Sequence, residues 1–284
     1  MAVNREYIEV DGHRWAYLRI GTGRPLILLH GFMCYADYFL HMANYLKNDF
    51  ELIIPDLPGF GFTPKLKNNS YFEVVKATKK FIDKLGLSGM YIFGTSLGGA
   101  IAAEYCIDHP EKVKKLILNS PFWDKNCLTQ GPVEKLEFLL IRLPDRVLNY
   151  LKTKLMFKKI LNAVLKLKPG IKKIVRTYEE EIIEAVNTLD IDGNRELFDS
   201  LFDIDLGDRI KDLKVETVIV AGKADRVIEP PTVRNLHHLL GCPTVFVKHQ
   251  GHEFILKGPK EMSKIVLGYL KHGIFVKDKN FVWI

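Results

Sequence analysis

Cysteine is scarce in this chain, and its pattern excludes more than its number does. The four cysteines, Cys34, Cys106, Cys127 and Cys242, are scattered. They show neither metal-site spacing nor a C-x-x-C redox pair, so no metal and no disulfide framework is expected. A reduced, cytoplasmic setting is the simplest account. Cys106, within an apolar helical stretch, reads as core, and Cys34 as a small packing residue. Long apolar runs are also missing: Leu26–Leu29 is typical, far short of a membrane span. The start, Met1–Val10, is polar and runs straight into a strand pattern, so no signal peptide is expected. Asn68-Asn69-Ser70 has the glycosylation spacing but reads as a polar turn. No internal repeat and no low-complexity tract is present.

What remains is an ordinary globular composition: 284 residues, 47% hydrophobic and 26% charged. That length suits one large domain with an inserted lobe. The net charge of +7 is localised. Eleven Lys or Arg fall between Arg142 and Arg176 against the single acid Asp145, which leaves the rest of the chain slightly acidic.

Short apolar runs at Leu26–His30, Leu52–Asp56, Met90–Phe93, Val113–Asn119, Thr217–Ala221 and Thr244–Lys248 predict strands buried on both faces. Tyr7–Val10 and Arg14–Ile20, joined at Asp11-Gly12, predict an N-terminal hairpin. Helical spacing covers Tyr35–Lys47, Tyr71–Leu85, Leu97–Asp108, Pro231–Leu240 and Glu261–Lys271. The alternation predicts an α/β fold with an eight-stranded, mostly parallel sheet flanked by helices. From Trp123 to Asp205 the pattern is helical throughout. The expected division is therefore a core of residues 1–122 and 206–284 with a helical cap at 123–205. The terminal Phe-Val-Trp-Ile reads as packing against the surface.

Gly94-Thr95-Ser96-Leu97-Gly98 follows one predicted strand and opens a helix. A sharp strand-to-helix turn needs small residues beside its central serine, because the backbone is strained and neighbouring chains approach closely. Such a turn lifts a nucleophilic hydroxyl clear of the sheet at a helix N-terminus. The alternative is a glycine-rich turn with an N-capping serine. A hydroxyl needs a base. Among nine histidines His252 is preferred, in the loop after the last strand, with His249 as its rival. His237 and His238 read as helix residues. Asp225, after the strand ending at Ala221, is the expected acid, with Asp124 the alternative; Asp203 and Asp205 read as solvated turn residues. The order Ser, Asp, His is the one such a turn predicts. Backbone N–H groups of Leu97 and Phe32 are the expected oxyanion donors, with Gly31 turning the loop and His30 holding it.

These motifs, with Asp56-Leu57-Pro58-Gly59-Phe60-Gly61, His109-Pro110-Glu111 and Gly222-Lys223-Ala224-Asp225-Arg226-Val227-Ile228, resemble the α/β-hydrolase superfamily. The similarity is to its capped serine esterase, lipase and C–C hydrolase branch. It implies a serine hydrolase cleaving a small-molecule carboxylic ester with an apolar acyl group, without metal or organic cofactor. Related dehalogenases and epoxide hydrolases carry aspartate where Ser96 stands. C–C hydrolases of vinylogous diketo acids, the alternative activity, usually carry an aromatic where Glu253 follows His252. A non-catalytic binding member of the fold is the third reading, and the complete Ser, Asp, His set argues against it. The basic, amphipathic stretch Leu148–Leu167 reads first as a lid helix with a solvated basic face. Peripheral contact with an anionic membrane, as in a lipase at an interface, is the alternative. No nucleic-acid partner is expected, since no recognition fold or aromatic platform accompanies the charge. The sequence leaves the oligomeric state open.

Overall fold

A computed structural model describes residues 4–127, 188 and 190–284. The basic stretch at 142–176, and with it most of the expected cap at 123–205, lies outside the described residues.

All eight expected strands are present: β1 (Arg5–Val10), β2 (His13–Ile20), β3 (Arg24–Leu29), β4 (Phe50–Pro55), β5 (Met90–Thr95), β6 (Val113–Asn119), β7 (Glu216–Gly222) and β8 (Thr244–Val247). The expected count of eight needs one correction. A ninth strand, β9 (Phe281–Trp283), pairs antiparallel with β8, matching Val245 to Trp283 and Val247 to Phe281. The terminal Phe-Val-Trp-Ile thus closes the sheet edge instead of lying on the surface. Ile284 and Thr244 exchange backbone hydrogen bonds of 2.8 and 3.0 Å at its end. Three residues are too few to show a strand periodicity, so the pairing partner had to be seen.

The sheet order is β1-β2-β4-β3-β5-β6-β7-β8-β9. Pairings from β4 through β3 to β8 are parallel; β1–β2, β2–β4 and β8–β9 are antiparallel. The chain steps from β3 outward to β4, then returns to place β5 on the other side of β3. That reversal opens a crevice beyond the carboxyl ends of β3 and β5, where open α/β sheets bind ligands.

Helices cover both faces, as strands apolar on both sides require. On one face lie α2 (Tyr71–Lys84), α3 (Leu97–Asp108), α4 (Ile191–Leu201) and α5 (Pro230–Leu240), packed with Trp15, Phe81, Ile92 and Leu116. On the other lie α1 (Leu40–Leu46), α6 (Phe254–Lys257) and α7 (Pro259–Val266), packed with Phe39, Phe93, Val220 and Val245. In α2 the buried residues Val74, Val75, Thr78, Phe81 and Ile82 recur at helical spacing, giving one apolar stripe. Residues Leu97 to Cys106 of α3 are all buried, which suits its glycine- and alanine-rich composition. The helix expected at Glu261–Lys271 begins earlier, with Pro259 in its first turn, and loosens into a π-helical turn at Leu267–His272.

A polar knot fastens α4 to the core. Asn69 is fully buried and donates to the carbonyls of Gly193, at 2.9 Å, and Pro58, at 3.3 Å. Asn194 donates to the Gly59 carbonyl at 2.8 Å, and the Asp190 N–H donates to the same oxygen at 3.2 Å. Tyr71 N–H donates to Ser200 Oγ at 2.7 Å, joining α2 to α4. Truncating one member strands its buried partners at about 1–3 kcal/mol. We therefore expect Asn69→Ala to lower the urea unfolding free energy by that amount with an unchanged m-value; a loss below about 0.5 kcal/mol would show that the knot contributes little.

Candidate active site

Ser96 is the single residue between β5 and α3, and its backbone is at φ 52° and ψ −118°. A non-glycine residue held there is strained by on the order of 1–3 kcal/mol, so its surroundings must impose the conformation. The Ser96 N–H donates to the Asn119 carbonyl at 3.0 Å. Its own carbonyl accepts from the N–H groups of Phe122, at 3.0 Å, and Gly99, at 2.9 Å. A Cβ at Gly98 would lie 2.3 Å from the Leu29 carbonyl oxygen, and one at Gly94 would lie 2.3 Å from that of Gly98. The two flanking glycines of the motif are thus dictated by backbone contact. The turn brings the start of α3 directly onto the end of β3.

The loop after β3 runs against the serine. A Cβ at Gly31 would stand 3.2 Å from Ser96 Cβ and 3.8 Å from Ser96 Oγ. Phe32 N–H follows on this loop, and Leu97 N–H opens α3. Among the described residues neither amide donates a hydrogen bond. Acyl transfer needs amide donors of this kind for its anionic oxygen. His30 is fully buried and pins the loop: Nδ1 meets the Gly31 carbonyl at 2.8 Å, and Leu57 N–H donates to Nε2 at 2.9 Å. Accepting at Nε2 makes Nδ1 the protonated nitrogen, so the ring is neutral. Its role is structural, as the sequence indicates.

Asp225 lies just beyond β7, its side chain wholly buried, and its Oδ2 is 2.9 Å from His252 Nδ1. The Ser120 hydroxyl donates to the same oxygen at 2.7 Å. Oδ1 accepts from the N–H groups of Val227, at 2.9 Å, and Ile228, at 3.0 Å. Burial works to raise the Asp225 carboxyl, but His252, Ser120 and Val227 outweigh it and hold it below the ordinary 3.8. An ionised Asp225 makes His252 Nδ1 the donor, which makes Nε2 the basic nitrogen of the ring. The loop before His252 packs tightly on β7. Ala224 N–H donates to the Gln250 carbonyl at 2.8 Å, and a Cβ at Gly222 would lie 2.4 Å from that oxygen.

Of the rival residues, His249 is exposed with φ 62°, and Asp225 pairs with His252. Asp124 forms a backbone bridge with Asp205, tying the exit from β6 to the return from 205, so its place differs from that of Asp225. Cys106 and Cys127 are buried, Cys34 and Cys242 partly so, and none of the four is in a disulfide. Ser120 is the participant the sequence reading misses. The only signal was its position at the carboxyl end of β6, beside the strand ends that carry Ser96 and Asp225. A cavity of about 390 Å³ lined by His237, Cys242, Phe275 and Trp283 lies at the other end of β8 and belongs to a different region.

Strand-end serine, buried acid and oriented imidazole on this topology define a hydrolase of the α/β class. The chain belongs to the alpha/beta hydrolase fold family, whose model matches residues 24–259. Lipase 3 of Moraxella sp. (strain TA144) is 28% identical over 251 residues, covering 85% of this chain and 76% of that protein. The human monoacylglycerol lipase ABHD6 is 23% identical over 289 residues, covering 93% and 81%. The esterase EaEST from Exiguobacterium antarcticum shares the fold at a TM-score of 0.74, with 22% identity, covering 93% of this chain and 98% of that one.

Burial pushes the His30 imidazole down from 6.5 to about 4. Between those values the unfolded chain binds a proton at residue 30 that the native state refuses, so stability falls as pH drops from 6.5 towards 4. His30→Gln cannot titrate. Its unfolding free energy should therefore depend on pH less steeply in that window, by up to about 1.4 kcal/mol per pH unit, whatever its absolute stability. Parallel pH profiles for the two proteins would contradict this.

Proposed function

We propose that the chain is a serine carboxylic ester hydrolase working through an acyl-enzyme on Ser96. The observation that carries this reading is the 2.9 Å pairing of His252 with buried Asp225 at the strand ends beside the strained Ser96 turn. The kinship with lipases supports the ester bond as the target. Ser96 Oγ attacks the ester carbonyl carbon while His252 Nε2 takes its proton. The carbonyl oxygen becomes an oxyanion facing the N–H groups of Phe32 and Leu97. Collapse of the intermediate breaks the bond to the alcohol oxygen, which takes the proton from His252 and leaves. Water then attacks the acyl carbonyl and gives its proton to His252. The acid departs as Ser96 Oγ is reprotonated. Asp225 holds the ring and stabilises the imidazolium in both halves without itself taking the proton.

An apolar acyl group fits the surroundings of the oxyanion loop. Phe32 packs on Phe60 and on Phe198 of α4, with ring centroids 5.7 and 5.8 Å apart, and Phe202 continues the cluster at 5.3 Å from Phe198. Glu253, which follows His252, pairs with Lys257, so no aromatic occupies the position that the alternative C–C chemistry usually fills. The basic segment at 142–176 would favour a substrate presented at an anionic membrane surface. Among the described residues no helix is long and apolar enough to cross a membrane.

Two measurements test the reading. Ser96→Ala should lose at least about 10⁴-fold in kcat on p-nitrophenyl butyrate while folding normally, and retained turnover would refute the assignment. Across p-nitrophenyl esters from acetate to decanoate, kcat/KM should climb by up to about fourfold per methylene until the pocket is filled. Preference for acetate, with no activity beyond butyrate, would exclude an apolar acyl site.

A further inference from the structure

The turn after β6 touches both halves of the site. Asn119 and Phe122 hold the backbone of Ser96 through the bonds described above, while Ser120 between them reaches Asp225, 105 positions further along the chain. Ser120 is itself held in an unusual way. It is buried, its φ is 40°, and its N–H donates to the Val220 carbonyl at 2.8 Å. A non-glycine residue with positive φ is uncommon, and the fold fixes this one with its hydroxyl 2.7 Å from the carboxylate. The oxygen it reaches is the one that faces His252, the titratable group paired with Asp225.

We propose that Ser120 is a positioning residue for the hydrolysis, its hydroxyl fixing the Asp225 carboxylate so that Oδ2 is presented to His252. The proposal rests on the Ser96, His252 and Asp225 reading above. With two amide donors on Oδ1 and two side-chain donors on Oδ2, the carboxylate has no rotational freedom left. Rotation about the Cβ–Cγ bond would break all four bonds at once. Removing the hydroxyl leaves Oδ2 with His252 as its described partner and loosens the imidazole with it. It also removes a dipole whose positive end points at the shared oxygen. That dipole disfavours a proton on either Asp225 or His252, so its loss raises the proton affinity of the pair. A serine that merely turned the chain would affect neither orientation nor proton affinity.

The test compares wild type, Ser120→Ala and Ser120→Gly on p-nitrophenyl butyrate. Active sites are counted with a fluorophosphonate probe, and folding is checked by thermal unfolding. Glycine accepts positive φ without strain, so it separates the hydroxyl from the backbone and protects against a misfolded alanine variant. Both variants should lose about tenfold in kcat, with KM within about twofold, as expected for one lost hydrogen bond to a charged group. In both, the acidic limb of the kcat/KM profile should move up by about half a pH unit or more. Wild-type kcat and an unmoved acidic limb in Ser120→Gly would overturn the proposal, because the hydroxyl would then have no function. If the wild type itself neither binds the probe nor turns over the ester, the underlying hydrolase reading fails, a result distinct from intact turnover indifferent to residue 120.

Discussion

The strained backbone of Ser96 is the constraint on which the site depends. At φ 52° and ψ −118° it would relax if unsupported, since such a conformation costs on the order of 1–3 kcal/mol. It is imposed by the packing of α3 onto β3, with Gly98 against the Leu29 carbonyl, and by the bonds from Asn119 and Phe122. One consequence is geometric: the serine stands at the start of α3 with the Gly31 loop against its side chain. Another is topological. The strain sits where the sheet order reverses between β3 and β5, the place at which open α/β sheets bind ligands.

Around that point the loops are fixed less by the sheet than by buried side chains bonded to backbone. His30 ties the Gly31 loop to Leu57. Asp56, also buried, accepts from the N–H groups of Ala36, at 2.7 Å, and Phe62, at 3.0 Å, and from Arg5 at 2.8 Å. Asn69 and Asn194 tie the next loop to α4, and Asp225 gathers Val227, Ile228 and His252. Each of these residues would be costly to bury unpaired. A frame of this kind holds catalytic groups to the tolerance that chemistry requires.

Most of the sheet was legible because strands buried on both faces leave continuous apolar runs: all six such runs formed strands, as did both arms of the N-terminal hairpin. The Ser96 turn was legible because its glycines answer a local steric demand. His252 and Asp225 were singled out by their positions after strands, and in the fold they pair, whereas His249 is exposed. The rest depends on contacts between distant segments. β9 is three residues long and exists through its pairing with β8. Ser120 matters only beside a carboxylate 105 positions away, and Asn69 only beside Gly193, 124 positions away. Neither separation leaves a periodic trace in the sequence. Asn69 looked like part of a polar turn, and in the fold it is fully buried.

The central claim is that Ser96 is the nucleophile, and a single adduct map tests it most directly. The protein is treated with a fluorophosphonate, digested, and its peptides are sequenced by mass spectrometry. The account predicts one phosphonyl group per chain, attached to Ser96, and loss of ester turnover in step with its appearance. An adduct on a different residue that tracks the loss of activity, or full turnover with Ser96 modified, would contradict it.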